Sequence, residues 1–97
     1  MIYLTQIIYV HAGREQTFEE FESVVLPLLA KYRGELVLRL RGDKIAGSAE
    51  APREVHIVKF ESEDDLDQYS NDPDRQRVLS LRHEAVRSSI LIKGAIV

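Results

Sequence analysis

The sequence predicts an α+β domain: one antiparallel four-stranded sheet with its helices on a single face. Three observations predict it. Segments rich in β-branched and aromatic residues alternate with segments whose apolar residues recur every three or four positions. The order is strand, helix, strand, strand, helix, strand, which is the split βαβ, or ferredoxin-like, βαββαβ plan. Finally, 97 residues allow one core, and no linker, repeat or biased segment divides them, so residues 1–97 form a single domain.

The first strand is Ile2 to Val10, closed by His11-Ala12-Gly13. A helix follows from Arg14 to Arg33. Its apolar stripe is Phe18, Phe21, Val25, Leu28 and Tyr32. Thr17 and Glu20 stand at capping-box spacing, so regular helix can start there. Glu15, Glu19, Glu20 and Glu22 crowd its positive end, and Gly34 has the character of a C′ residue. Pro27 lies inside, where a missing N–H predicts a kink near Ser23 to Pro27 or two short helices.

Glu35 to Arg41 alternates, with Leu36, Leu38 and Leu40 on one side and Val37, Arg39 and Arg41 on the other. That parity sends the arginines toward a dimer-facing side. Gly42 to Pro52 is a turn region, and Glu54 to Glu61 the third strand. Ser62 and Asp65 are spaced to start a helix that runs to Tyr69. Asn71-Asp72-Pro73 interrupts it; Asp72 caps a fresh helix, with Pro73 in its first position, that extends to about Arg87. Ile90 to Val97 is the last strand.

Both faces of the outer segments are apolar. Ile2, Leu4, Ile8 and Val10 oppose Tyr3, Ile7 and Tyr9; Ile90, Ile92 and Ile96 oppose Leu91, Ala95 and Val97. A sheet with helices on one side should read polar on the other. No segment is left to cover that second face, so a second copy is expected there, as a two-fold homodimer packed sheet to sheet.

Composition removes several functions. There is no Cys, hence no disulfide, thiolate metal site or Cys nucleophile. A net charge of −3 argues against nucleic acid, and the sparse aromatics Tyr3 and Phe60 argue against an RNA-recognition surface. The apolar start is too short to span a membrane and lacks a basic lead, so a cytoplasmic protein is expected. His11, His56 and His83 stand far apart, which predicts no metal, and no motif predicts a cofactor.

Val55-His56-Ile57-Val58-Lys59-Phe60-Glu61-Ser62, Asn71-Asp72-Pro73-Asp74, and Leu81-Arg82-His83-Glu84-Ala85 followed by Ser89-Ile90-Leu91-Ile92-Lys93-Gly94 resemble the dimeric α/β-barrel superfamily. The likeness is to its small branch of uncharacterised domains, and it spans nearly the full chain. It implies a ferredoxin-like fold that dimerises into an α/β barrel. The chain is more distantly similar to cofactor-independent antibiotic-biosynthesis monooxygenases. That similarity implies a cleft between helices and sheet, with His56, Phe60 and Arg82 at the positions that contact an aromatic substrate. His replaces their Asn and Phe their Trp. The haem-degrading relatives' set has no counterpart, since position 70 is Ser.

Read as chemistry, His56 and Phe60 share a strand face, being four apart. His56 is the acid–base candidate. Arg82 is the candidate anchor for a carboxylate, enolate or phosphate, against an ion pair with Asp64, Asp65 or Asp67. Phe60, Tyr9 and Arg82 are the candidate ligand contacts, although packing is the ordinary role of Tyr9. Arg75, Arg77 and Arg87 read as solvated. Two functions remain. One is a dimeric domain that binds a small anionic or aromatic metabolite. The other is a cofactor-independent monooxygenase or isomerase for an aromatic or enolisable substrate, with His56 and Arg82 catalytic.

Overall fold

A computed structural model describes residues 1–97. The elements are β1 (Ile2–Val10), α1 (Glu15–Leu28), a 3₁₀ turn (Leu29–Tyr32), β2 (Gly34–Leu40), β3 (Glu54–Phe60), α2 (Glu63–Ser70), α3 (Pro73–Arg77), α4 (Leu79–Ala85) and β4 (Val86–Gly94). The sheet order is β2-β3-β1-β4, with every pair antiparallel. This is the ferredoxin-like arrangement. The molecule is 16 Å thin in one direction. That is room for one sheet and one helical layer, because packed layers stand about 10 Å apart. No helix is long and apolar enough to cross a membrane.

The core lies between α1 and the even-numbered positions of β1 and β3. Leu4, Phe21, Val25, Leu29, Val58, Phe60 and Tyr69 form its larger part; Ile8, Phe18 and Ala85 form a smaller one. Phe60 and Tyr69 meet with ring centroids 5.5 Å apart. Odd positions of β1 face away from the helices. There Leu38, Leu40, Ile90 and Ile92 are 42–52% exposed, beside half-buried Tyr3, Ile7, Tyr9, Val55 and Ile57.

Several local expectations change. Helix α1 starts at Glu15 behind Arg14, without a side-chain cap from Thr17. It runs unbroken through Pro27. The proline sits in the last turn, where the lost hydrogen bond matters least, and the chain tightens into the 3₁₀ turn two residues later. Arg33, not Gly34, takes the left-handed conformation (φ 57°), and its guanidinium pairs with Glu61 and Asp65. Gly34 opens β2 opposite Phe60, and a Cβ there would lie 2.7 Å from Phe60 Cε1. Asp72 does cap α3, accepting from the Asp74 and Arg75 amides. The helix beyond it breaks at Val78, and β4 starts at Val86 rather than Ile90 and ends at Gly94.

The largest change is in β2. Leu36 pairs with Val58, but Leu38 pairs with Ile57, so Val37 is an extra residue, a β-bulge. One inserted residue inverts the parity of everything after it. Leu38 and Leu40 therefore turn to the open face, with Ile57 and Val55. Arg39 and Arg41 turn to the helix side instead of a dimer-facing side, and both bind Glu54.

Candidate functional site

A cavity of about 100 Å³ lies between the helices and the sheet. Its walls are core aliphatics and aromatics, Val58 and Phe60 among them. Its polar groups come from every layer: Gln6 of β1, Glu22 of α1, His56 of β3, Ser70 of α2, Arg75 of α3 and Arg82 of α4. Arg75 and Arg82 are half-buried, and exposed Leu91 of β4 borders the same space.

His56 is 2% exposed and Glu54, two residues earlier on the same face, 1%. Nε2 of His56 lies 2.6 Å from Glu54 Oε1. Burial by itself would raise the Glu54 carboxyl. Hydrogen bonds from Arg39, His56 and Arg41 outweigh it and hold the group at about 2. Arg39 donates through Nε at 2.8 Å and Nη2 at 3.2 Å, and Arg41 through Nε at 2.7 Å. Glu19 of α1 accepts from both arginines and closes the network. An ionised carboxylate only accepts, so Nε2–H of His56 is the donor. In the neutral ring, Nδ1 is then the free acceptor. A carboxylate thus fixes the ring's orientation at the cavity wall.

Arg82 Nη2 donates to Ser89 Oγ at 3.2 Å, and no carboxylate stands within 4.0 Å of it. None of the expected acidic alternatives reaches it: Asp65 pairs with Arg33, Asp64 accepts from Gln68, and Asp67 lies beyond ion-pair distance. Burial, then the neighbouring Arg75 charge, lower the Arg82 guanidinium below its usual range. Arg75 lies over the Tyr69 ring, 5.2 Å from its centroid, and also lacks an acidic partner; its Nε is buried with no hydrogen bond. Burial pushes Glu22 up to about 7, over the opposing pull of Arg39 and the added push of Glu54 and Glu19. Glu22 is 4% exposed and makes no side-chain hydrogen bond within the protein.

Of the residues singled out in the sequence, His56, Phe60 and Arg82 line this one cavity. Tyr9 does not reach it: odd positions of β1 point to the open face. There its hydroxyl donates to the Glu50 carbonyl at 3.2 Å, and Arg87 lies over its ring. Tyr9 borders a separate hollow of about 400 Å³ between the sheet and the 42–52 loop. Arg77 and Arg87 are exposed and ion-paired, as solvated residues would be. Arg75 has the sequence context of a solvated residue as well, yet it lines the cavity. Glu22 lines it too, outside any motif. Its signal is its place in the apolar stripe, four residues after Phe18 and three before Val25, where a carboxylate is out of character. No three His, Asp or Glu side chains converge as a metal-ligand set.

Known proteins share this fold. A protein of unknown function from Rhodopseudomonas palustris superposes with a TM-score of 0.87 at 16% identity, over 99% of this chain and 82% of its own. A dimeric ferredoxin-like protein of unknown function from Jannaschia sp. matches at 0.75 and 16%, over 98% of both chains. A dabb family protein with a ferredoxin-like fold from Mesorhizobium loti matches at 0.68 and 18%, over 99% of this chain and 96% of its own. No curated protein matches the chain. The family model described as a domain of unknown function (DUF1330) matches residues 5–95, nearly the whole βαββαβ unit that builds the cavity, and the chain belongs to that family.

Proposed function

We propose that this domain binds a small anionic metabolite in the cavity between helices and sheet, with Arg82 as its principal anchor. The observation that carries this reading is the pair of guanidiniums, Arg75 and Arg82, that line one recess with no carboxylate within 4.0 Å of either. Half-buried cations left without a counter-ion favour an anion that enters. Size narrows the choice. A dry cavity of roughly 150 Å³ takes a benzene ring. About 100 Å³ suits a smaller aliphatic anion without rearrangement of Phe60 or Val58. Thermal shift with pyruvate and acetate against their neutral amides tests it. The anions stabilise the protein and the amides do not, and Arg82→Met removes the difference. Equal shifts from anion and amide would overturn the reading.

The partner of the open sheet face is a second copy of this chain. Its supports are the aliphatic face left uncovered by a single helical layer, and the dimeric description of a neighbour that shares the fold. Light scattering tests it: a monomer at micromolar concentration overturns the dimer.

One observation favours a catalytic role at the same place. The Glu54–His56 pair orients an imidazole against the cavity that Arg82 lines. An anion held by Arg82 with an acidic C–H beside His56 would exchange that proton, as an isomerase or a cofactor-independent oxygenase requires of its first step. Deuterium wash-in at the pyruvate methyl, followed by NMR in D₂O, is accelerated by the protein and lost in His56→Gln. No acceleration over buffer would remove this role and leave binding.

A further inference from the structure

We propose that the ligand is a short carboxylate held between Arg82 and Glu22, the arginine pairing with its charge and the Glu22 carboxyl donating a hydrogen bond to it. This rests on the reading of the cavity as an anion site. Glu22 faces the cavity from α1, is 4% exposed and has no hydrogen-bond partner in the protein. It forms no ion pair with Arg82, although both line the same space, so a gap separates them. An ionised carboxylate in that position would be desolvated and unpaired. A neutral one is a donor whose hydrogen has no acceptor until a ligand brings one. A carboxylate in the gap satisfies both sides at once, and such charge-assisted hydrogen bonds are the strong ones. The length follows from the volume: by comparison with benzene, six non-hydrogen atoms in a cavity of about 150 Å³, about 100 Å³ holds roughly four, the size of acetate.

Binding then depends on the Glu22 proton. The charges around it are Glu19 on its own helix, Arg39 on β2 and Glu54 on β3, with Arg82 of α4 opposite. His56 of β3, Tyr69 of α2 and Arg75 of α3 line the same cavity; β1 presents neutral Gln6, and β4 presents Leu91. The carboxyl, raised by its burial to about 7, is an acid below neutrality and an anion above it. In its ionised form it occupies the arginines' field itself and repels the ligand. A bound anion therefore favours the protonated acid, and above pH 7 the protein takes up a proton as it binds.

Calorimetric titration of the full chain with sodium acetate and sodium pyruvate tests this at about pH 6, 7.5 and 8.5, in two buffers of different ionisation enthalpy. We expect affinity to fall roughly tenfold per pH unit above neutrality, with close to one proton taken up at the highest pH. Glu22→Gln, whose amide still donates, should bind with an affinity that does not change with pH. Wild-type affinity that is constant across the range overturns the role of Glu22 while the anion site stands. A pH dependence that survives in Glu22→Gln assigns it to another group, His56 first, and overturns the proposal too. Absence of acetate and pyruvate binding at about pH 6 overturns the anion site and the proposal together.

Discussion

Replacing Glu22 by Gln should make the ligand-free protein more stable, by a margin that opens above about pH 4.5 and is full above pH 7. In the folded chain the carboxyl sits at about 7; in the unfolded chain it returns to the ordinary 4.5. Between those values the folded state holds a proton that the unfolded state has released. Stability from this group is fully present below 4.5, falls as pH rises, and is gone once pH passes 7. A shift of this size is worth ~3 kcal/mol at about 1.36 kcal/mol per unit. Water that enters the cavity lowers it, so we expect about 2–3 kcal/mol. Gln matches the shape and cannot ionise, so it removes the loss. Urea denaturation of both proteins at about pH 4, 6 and 8.5 reads the difference directly. With a slope of about 1–2 kcal/mol per molar urea, a difference of about 2–3 kcal/mol puts the variant's midpoint about 1–3 M higher at the alkaline end, and the two coincide at the acid end. All other titrating groups are shared and cancel. A gap that does not change with pH would refute the reasoning, because it would mean that Glu22 ionises freely in the folded state.

Glu54 should behave with the opposite sign. Its carboxyl is held at about 2, so its contribution is present above 4.5 and lost as pH falls toward 2. Glu54→Gln leaves Arg39 and Arg41 short of a buried counter-charge and should cost about 3 kcal/mol near neutrality; urea melts should show the gap closing through that acid window. Gly34→Ala drives a methyl to within 2.7 Å of Phe60, which is 1% exposed and cannot yield. Thermal melts by circular dichroism should report a loss of about 1–3 kcal/mol. Ile92→Lys places a charge on the open face, at the middle of edge strand β4 and across from Thr5 of β1. Light scattering should report half the wild-type mass, with an unchanged far-ultraviolet spectrum.

The order of elements was legible because hydrophobic period separates strands from helices, and Asp72-Pro73 marks a helix start by chemistry alone. The placement of His56, Phe60 and Arg82 around one space was legible too, since strand parity and the resemblance agreed. What stayed hidden depends on contacts between distant segments. The apparent alternation of Leu36, Leu38 and Leu40 carries no sign of the bulge at Val37, which exists only in the pairing with β3. The left-handed residue is Arg33 rather than Gly34 because Gly34 is needed for its closeness to Phe60, 26 residues on. Arg75 follows a proline-capped start and reads as surface; the break at Val78 turns α3 so that it meets the cavity. Glu22 was visible in principle as the one carboxylate within the apolar stripe, but its neighbours Glu19 and Glu20 disguised it as part of a charged helix start.

The bulge at Val37 makes β2 a keyed joint: one extra residue lets Leu36 face the helices and Leu38 the open side. Deleting Val37 would leave Leu36 opposite Val58 and Leu38 opposite Ile57 in regular alternation, so every later side chain would keep its face. Straightening the bulge with Val37 retained would instead turn Leu38 and Leu40 toward Glu54 and bring two arginines out among Ile57, Ile90 and Ile92. The 42–52 loop that follows has no such key. In lineages of this domain, insertions should collect in that loop, and Val37 should be the position of β2 whose loss leaves every other side chain on its face.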